Sequence, residues 1–353
     1  MSFLDRKDIK SLFPQELEAE LAALGQPKFR AKQIISWLHE KRVTSFDEMT
    51  NIPQSLRAVL QEHYYINSLK IVRRLESKLD GTVKYLLELK DKNCIEAVLM
   101  KYKHGNSLCI STQVGCRMGC KFCASTLAGL VRSLEPSEML DEIYTAVRDS
   151  GERVSNVVLM GIGEPLDNYD NVLRFLRLLS MPEGYNLSLR HLSLSTCGVV
   201  DKIDRLAEED LGLTLSISLH APNDEIRNQT MPINKRWNVD ELMKSCHAYF
   251  AKTGRRISFE YALIDGVNDE PQHAKELASR LKGMPAHVNL IPVNPVEERG
   301  FKRGTRQKIE GFQHQLQKLG VNATIRRELG ADINAACGQL RREYMSEEEE
   351  EQC

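Results

Sequence analysis

In the stretch Gly115-Cys116-Arg117-Met118-Gly119-Cys120-Lys121-Phe122-Cys123, three cysteines lie within eight residues. This Cys-x3-Cys-x2-Cys spacing offers three thiolates to one metal centre, with no fourth cysteine nearby. A four-iron cluster needs a ligand on each iron and normally takes four cysteines, so three thiolates leave one iron open. A structural zinc ion would require a fourth Cys or His ligand, which is commonly part of a second pair of ligands further along the chain. Three unrelated core cysteines, the other alternative, have no reason to keep so tight a spacing.

The length of 353 residues suits one barrel-sized domain and a smaller one. No stretch approaches the ~18 apolar residues that span a bilayer, and the first residues lack the apolar core of a signal peptide. We therefore expect a cytoplasmic protein without membrane contact. The nine cysteines favour a reducing compartment, where clustered cysteines bind metal or react.

The charge of the chain is unevenly distributed. The formal net charge is −1, but the glutamates at 347–351 contribute −5, so the rest of the chain carries +4. Residues 346–353 are predicted to form a disordered acidic tail. The mildly basic body permits a nucleic-acid partner without requiring one.

Residues 1–80 are predicted to form a small, separate helical domain. Apolar residues recur at helical spacing in the segments 17–24, 29–40 and 56–60. The second of these shows Lys28, Arg30 and Lys32 on its other face. A basic helix face is usually just exposed to solvent. These three residues therefore do not indicate RNA contact unless other parts of the sequence point to an RNA partner.

Residues 81–345 are predicted to form the main domain, with alternating strands and helices. Strands are predicted at 71–75, 82–89, 95–100, 107–111, 156–160, 191–195, 213–219, 258–264, 288–293 and 321–325, and helices at 136–148 and 171–179. Repeated strand–helix units imply parallel strands in an α/β barrel or an open sheet. About six units are too few for a closed eight-stranded barrel.

Polar motifs follow the predicted strands, where ligands bind in parallel α/β folds. They are Gly161-Ile162-Gly163-Glu164-Pro165, Ser195-Thr196-Cys197-Gly198, Ser218-Leu219-His220-Ala221 and Asn294-Pro295. Taken singly, the glycines could form a tight turn, Ser195 could cap a helix and His220 could be a core histidine. Together, beside the cysteine loop, they favour a binding site, because carboxylates pair with amines while Ser and Asn hydrogen-bond ribose and carboxylate groups.

Two cysteines outside the cluster motif differ in setting. Cys337 lies beyond the last predicted strand, in the small-residue stretch Asn334-Ala335-Ala336-Cys337-Gly338, where a thiol can be reached. Most lone cysteines are nevertheless inert. Cys109, within the strand before the cysteine loop, would be assigned to the core.

From its N-terminal helices to about residue 343, the chain resembles the RlmN/Cfr family of radical S-adenosylmethionine (SAM) methyltransferases. The stretches that carry the resemblance are 109–125, 160–166, 194–196, 218–224, 292–295 and 335–340. The resemblance implies an α/β fold: a partial (β/α)6 radical SAM barrel with strand extensions and a small N-terminal helical accessory domain that recognises RNA.

The resemblance also implies the cofactors and their ligands. Cys116, Cys120 and Cys123 would hold a [4Fe–4S] cluster whose open iron chelates SAM. The residues that would bind SAM are Gly163, Glu164, Ser195, Ser218, Leu219, His220 and Asn294.

The implied reaction uses two SAM molecules per turnover. Cys337 would take a methyl group from the first, and a 5′-deoxyadenosyl radical from the second would abstract hydrogen from that S-methyl. The methylene radical would add to adenine, Cys109 would release the product by forming a disulfide with Cys337, and Glu96 would be the proton acceptor. Such chemistry suits adenine C2, an electron-poor carbon that electrophilic methyl transfer does not reach but a carbon radical can attack.

The implied partners are 23S rRNA, tRNA and a one-electron reductant such as flavodoxin, and a monomer is expected. A basic loop at Arg299, Lys302, Arg303, Arg306 and Lys308 is predicted to grip RNA phosphates. Overall similarity favours the C2-methylating branch over the C8-methylating branch, which shares the cluster and both extra cysteines. The alternatives from other classes are a non-catalytic, metal-bound RNA-binding protein and a radical SAM enzyme acting on a small molecule or peptide.

Overall fold

The computed structural model of the protein describes residues 6–293, 300–333, 340–341 and 344. The predictions for Asn294, Arg299, Cys337 and the acidic tail at 346–353 lie outside these residues. No described helix is both long and apolar enough to cross a membrane.

The N-terminal helices confirm the segments predicted from apolar spacing. They are α1 (Pro14–Ala23), α2 (Phe29–Ile35), which continues into a π-helical turn at Ser36–Glu40, and α3 (Gln54–His63). Leu21, Ile34 and Leu60 are among the apolar residues they bury against one another. Two short strands, β1 (Lys7–Asp8) and β2 (Tyr64–Tyr65), pair in parallel and bring both ends of this region together.

A buried ion pair attaches the N-terminal region to helix α4 (Pro136–Ser150). Nζ of Lys10 lies 2.8 Å from Oδ1 of Asp141, and both side chains are fully buried. Oδ2 of Asp141 accepts hydrogen bonds from the main-chain nitrogen of Leu69 and from Arg148. Because removing Asp141 would leave the buried Lys10 ammonium group without its ionic partner, this pair fixes the position of the region against α4.

Ten strands of the described chain form one sheet. In chain order they are β3 (Lys70–Glu76), β4 (Val83–Glu88), β5 (Cys94–Tyr102), β6 (Gly105–Cys109), β9 (Val154–Leu159), β10 (Leu192–Thr196), β11 (Thr214–Ser218), β12 (Ile257–Leu263), β13 (Ala286–Pro292) and β14 (Asn322–Ile325). The remaining strands, β7 (Gln113–Gly115) and β8 (Leu130–Ser133), form a separate antiparallel hairpin.

The sheet has a parallel part and an antiparallel extension. Strands β6 and β9 to β14 are parallel neighbours, whereas β3, β4 and β5 add to the β6 edge in antiparallel fashion. Helices connect the parallel strands: α4, α5 (Tyr169–Ser180), α6 (Val200–Glu208), α7 (Asp224–Thr230), α8 (Val239–Thr253), α9 (Pro271–Arg280) and α10 (Arg306–Lys318). This alternation confirms the predicted parallel α/β architecture, and β3 and β14 are its two edges.

The proposed domain boundary at residue 80 stays a prediction. Strand β3 precedes that boundary, yet it pairs with β4 and forms one edge of the large sheet. The helical region and the sheet therefore join through the residues around 64–70.

Candidate active site

A cavity of about 630 Å³ opens beside the carboxyl ends of the parallel strands. This volume lies within the range of about 300–1,000 Å³ that small-molecule sites occupy. Of the predicted site residues that the structure describes, those that line it are Glu96, Cys109, Cys116, Cys120, Cys123, Gly163, Glu164, Ser195, Ser218 and His220. Predicted site residues between Glu96 and His220, from several different strands, therefore meet at one cavity.

The cysteine loop is held at its base by the β7–β8 hairpin. The main-chain nitrogen of Cys116 donates a hydrogen bond of 2.9 Å to the carbonyl oxygen of Gly129. Gly115 has a φ of 78°, and a Cβ there would lie 2.0 Å from the same oxygen. Only glycine fits where these two backbone segments meet. The glycine before the first cysteine therefore allows the two ends of the cysteine loop to come together.

The three loop thiols face one cavity and are chemically suited to a metal cluster. Burial raises the pKa of the Cys116 thiol to about 12. Burial also raises the pKa of Cys120, and the negative charge of a Cys123 thiolate raises it further. A bound metal cation reverses this preference, because a coordinating thiol is deprotonated. Among the described residues, no group of three or more His, Cys, Asp or Glu side chains is arranged to hold a single metal ion. A four-iron cluster instead takes each thiolate on a different iron, and three thiols fit it by number and type.

Gly161 and Gly163 allow the end of β9 to lie directly on the connection between β6 and β7. A Cβ at Gly161 would lie 2.5 Å from the carbonyl oxygen of Ile110. At Gly163, where φ is 111°, a Cβ would lie 2.7 Å from Cβ of Gln113. Both positions therefore exclude any side chain, which explains why glycines precede Glu164.

The carboxyl group of Glu164 is buried where β9 and β10 end. Its Oε1 accepts a hydrogen bond of 3.0 Å from the nitrogen of Leu166, and its Oε2 accepts one of 2.8 Å from the nitrogen of Cys197. Burial raises the pKa of Glu164, while these hydrogen bonds act in the opposite direction. An amine entering the cavity would find a fixed carboxyl group here.

Ser195 and Ser218 end adjacent strands, and their hydroxyl oxygens lie 3.3 Å apart. Next to them, Nδ1 of His220 accepts a hydrogen bond of 2.9 Å from the nitrogen of Ala262. Burial lowers the pKa of His220 to about 3. The ring is therefore neutral, with its proton on Nε2. The Leu219 side chain is fully buried in the core and is not part of the cavity lining.

Cys109 and Glu96 lie on the wall formed by β5 and β6. Burial raises the pKa of Cys109 to about 11, and the charge of Arg326 opposes that increase. Oε1 of Glu96 accepts a hydrogen bond of 2.7 Å from the nitrogen of Arg341, and Oε2 lies 3.4 Å from Nζ of Lys84. In this structure Cys109 is a free thiol, and its predicted disulfide partner lies outside the described residues.

Comparison with known proteins identifies the family. Residues 110–278 match the Radical SAM superfamily, and residues 7–66 match the Ribosomal RNA large subunit methyltransferase N-terminal domain. A protein of Lachnoclostridium phytofermentans, described as "Probable dual-specificity RNA methyltransferase RlmN", is 56% identical over 343 residues, which are 97% of this chain and 96% of that protein. The chain belongs to the RlmN family.

Other RlmN relatives agree with this assignment. A protein of Alkaliphilus oremlandii with the same description is 55% identical, over 97% of this chain and 99% of that protein. The crystal structure of a radical SAM methyltransferase from Sphaerobacter thermophilus is 42% identical, with a TM-score of 0.90 over 94% of this chain and 98% of that one. This likeness confirms the predicted fold class. Membership of the radical SAM superfamily implies a [4Fe–4S] cluster and SAM, and the loop thiols fit the cluster.

Sequence reasoning missed a charged residue in the wall of this RlmN-family cavity, and two further buried charges outside its lining. Glu260, in the cavity wall, accepts a hydrogen bond of 2.7 Å from Asn289. Arg227 is fully buried and donates to the carbonyl oxygens of Cys197 and Leu219. Glu260 and Lys84 each interrupt an apolar strand. A single charged residue in an otherwise buried strand is the sequence signal that could have identified them.

Three cations of the predicted basic loop form ion pairs in the structure. Arg303 forms an ion pair with Glu328, and Nζ of Lys308 lies 2.7 Å from Asp265. Arg306 pairs with Glu310 within its own helix. Arg303, Arg326 and Arg327 all line the cavity. The charges of Arg303, Arg306 and Lys308 are thus partly neutralised, and the contact of this loop with RNA phosphates stays a prediction.

Proposed function

We propose that this protein methylates C2 of an adenine in 23S rRNA, and also in tRNA, through an S-methylcysteine at Cys337 and a covalent RNA–protein intermediate. The observation that carries the proposal is the convergence of two chemistries on one cavity. One wall holds the cysteine trio, and the other holds the free thiol of Cys109 and the carboxylate of Glu96. An enzyme that only cleaved SAM would need the first wall alone.

The residues of the first wall bind and orient SAM. When bound and reduced, the cluster supplies reductive cleavage of SAM to a 5′-deoxyadenosyl radical. The Glu164 carboxyl is placed to pair with an amine, and the hydroxyl groups of Ser195 and Ser218 are placed to hydrogen-bond a ribose or a carboxylate. His220 can donate from Nε2, and its ring forms a T-shaped pair with Phe122, with ring centroids 4.7 Å apart.

The residues of the second wall complete the reaction. The S-methyl carbon of Cys337, once it has lost a hydrogen atom, forms a bond to adenine C2 and leaves one unpaired electron on the ring. The ring then gives up this electron, for which the oxidised cluster would be the acceptor, and Glu96 takes the proton from C2. The Cys109 thiolate attacks the Cys337 sulfur, which forms the disulfide and breaks the bond between sulfur and the methylene carbon, and that carbon takes up a proton to become the methyl group. Because burial holds Cys109 protonated, this thiol must first lose its proton, a step that Arg326 favours electrostatically.

The N-terminal region supplies a surface suited to RNA. Nζ of Lys41 lies 3.4 Å from the centroid of the Trp37 ring, and the guanidinium of Arg30 lies 4.8 Å from that of Phe29. Phe29 is 56% exposed. Aromatic faces flanked by cations bind unpaired bases by stacking and phosphates by charge.

Nucleoside mass spectrometry of RNA treated with reconstituted enzyme, SAM and reduced flavodoxin tests the proposal. The expected product is 2-methyladenosine, and Cys109→Ala is expected to accumulate protein crosslinked to RNA. Formation of 8-methyladenosine would instead place the chain in the C8-methylating branch. Retention of full activity by Cys337→Ala would overturn the covalent mechanism.

A further inference from the structure

The cavity wall behind Glu96 contains a buried lysine. Lys84 on β4 is fully buried, and Glu96 on β5 is 2% exposed. In the antiparallel pairing, Lys84 lies opposite Val98 and Leu86 lies opposite Glu96, so the two charged residues are diagonal neighbours on one face. Their 3.4 Å separation makes them an ion pair with almost no access to water.

The groups that face Glu96 come from three directions. Lys84 approaches from β4, and the Cys109 thiol approaches from β6. From the C-terminal side, Arg341 donates its main-chain N–H to Oε1, and its guanidinium also interacts electrostatically with Glu96. The guanidinium of Arg341 is itself partly buried, and burial lowers its pKa.

We propose that Lys84 is a positioning residue that keeps the Glu96 carboxylate ionised and oriented at the cavity wall, ready to take a proton from the RNA base. This inference rests on the proposed function, in which Glu96 is the proton acceptor. A carboxylate buried without a cation takes up a proton from water instead, and a carboxylic acid cannot accept a second one. Lys84 supplies a compensating charge in direct contact with the carboxylate, from the side of the sheet, in addition to the electrostatic contribution of Arg341.

The proton balance of the step is simple. The proton leaves the ring carbon of adenine and binds a carboxyl oxygen of Glu96, while the electron pair of the broken C–H bond stays with the base. Lys84 keeps its three protons throughout. Once Glu96 is neutral, the adjacent ammonium group disfavours the added proton, which promotes its return to solvent before the next turnover.

A purely structural ion pair would behave differently. Replacing both members of a buried pair by neutral groups is often harmless to stability, whereas removing one member is costly. Infrared difference spectroscopy of full-length, reconstituted enzyme with 13C-labelled glutamate reports the protonation of Glu96 without any need for turnover. Subtracting the spectrum of Lys84→Met/Glu96→Gln from that of Lys84→Met isolates the Glu96 band from those of other buried glutamates.

The expected result is a carboxylic acid band from Glu96 at pH 7 in Lys84→Met, and a carboxylate band in the wild type and in the control Lys101→Met. Lys101 lies on the same strand as Glu96, but it pairs with Glu152 at the surface. If Glu96 remains ionised in Lys84→Met, the proposal is overturned. Should Lys84→Met not fold, Lys84→Gln is measured in the same way.

The pH profile of a single turnover separates this inference from its premise. In Lys84→Met the acid limb is expected to move to higher pH, and the rate measured on that limb falls about tenfold for every pH unit by which the limb moves. Lys84→Arg is expected to restore the wild-type profile. If Glu96 is protonated in Lys84→Met but the pH profile of the rate is unchanged, Glu96 is not the proton acceptor. That result would overturn the premise of the inference, and the inference with it.

Discussion

The carboxylate of Asp332 accepts a hydrogen bond of 2.6 Å from the hydroxyl of Ser77, which lies 255 positions earlier in the chain. Nearby, the nitrogen of Gly330 donates to Asp80 at 2.9 Å. On the other side of the segment 334–339, Leu340 packs against Leu86 in a small apolar cluster. Both flanks of the segment that carries the predicted methyl-accepting cysteine therefore rest on β3 to β5.

Removing these carboxylates should loosen the flank of that segment. In Asp80→Ala/Asp332→Ala, amide hydrogens in 326–333 are expected to exchange with solvent faster than in the wild type, because Gly330 and Ser77 lose their partners. Hydrogen exchange followed by mass spectrometry measures this. Glu62→Ala, which removes an exposed carboxylate from α3, is the matched control. Unchanged exchange in the double variant would show that other contacts hold the flank.

The buried histidine of the N-terminal region predicts a loss of stability at mildly acidic pH. Nδ1 of His39 lies 2.9 Å from the hydroxyl of Tyr144, and burial lowers the pKa of His39 to about 3. Since the unfolded chain protonates histidine near pH 6.5, the stabilisation is complete above that pH and declines as pH falls from about 6.5 towards 3.

Denaturant titrations at pH 7.5 and 5 test this dependence. His39→Gln should lose less stability than the wild type between the two pH values. Tyr144→Phe removes the hydrogen bond to His39, so it should be less stable than the wild type at both pH values. Because it keeps the buried imidazole, its stability should change with pH as much as that of the wild type. Equal slopes for the wild type and His39→Gln would contradict the prediction.

The glycine before Glu164 should be intolerant of even a methyl group. In Gly163→Ala the new Cβ would overlap Gln113, and shifting either segment displaces Glu164, so SAM affinity measured by calorimetry should fall at least tenfold. Gly311→Ala is the matched control, since a Cβ there meets no atom within 4 Å. In helix α10 that change should stabilise the protein by roughly 0.5–1 kcal/mol.

Each loop cysteine should be needed for metal content. Cys120→Ser is expected to bind markedly less iron and sulfide after anaerobic reconstitution, because one iron loses its thiolate. Cys246→Ser, which replaces a buried cysteine in α8, should retain both. Iron and sulfide assays with absorption spectra provide the measurement. Zinc in place of iron in the wild type would favour the metal-bound, non-catalytic alternative.

The cations of the basic loop should contribute to RNA affinity and to its salt dependence. Arg303→Gln/Lys308→Gln is expected to weaken binding and to reduce the slope of log K against log salt by about 0.7–0.9 for each lost phosphate contact. Glu328→Gln should strengthen binding, because it releases Arg303 from its ion pair. Lys252→Gln, at the C-terminal end of α8 and away from the strand ends, is the control. An unchanged salt slope in the double variant would exclude phosphate contact by these residues.

The sequence predicted the parallel strands and the residues at their ends, because apolar periodicity and parallel pairing are local and general rules. Ser195 and Ser218 could be placed side by side for that reason alone. The Lys10–Asp141 pair and the Arg341–Glu96 hydrogen bond could not, since they join residues 131 and 245 positions apart and leave no trace in local spacing. The exclusion of Leu219 from the cavity likewise depends on the orientation of a strand end, which spacing does not specify.

The antiparallel extension has a consequence for synthesis on the ribosome. Strands β3 to β5 emerge early, but Glu96 obtains its Arg341 partner only after more than two hundred further residues have been translated. The two walls of the cavity can therefore be completed only after Arg341 has been translated. Nascent chains would hold a cysteine loop and a SAM pocket well before they hold a finished methyl-transfer site.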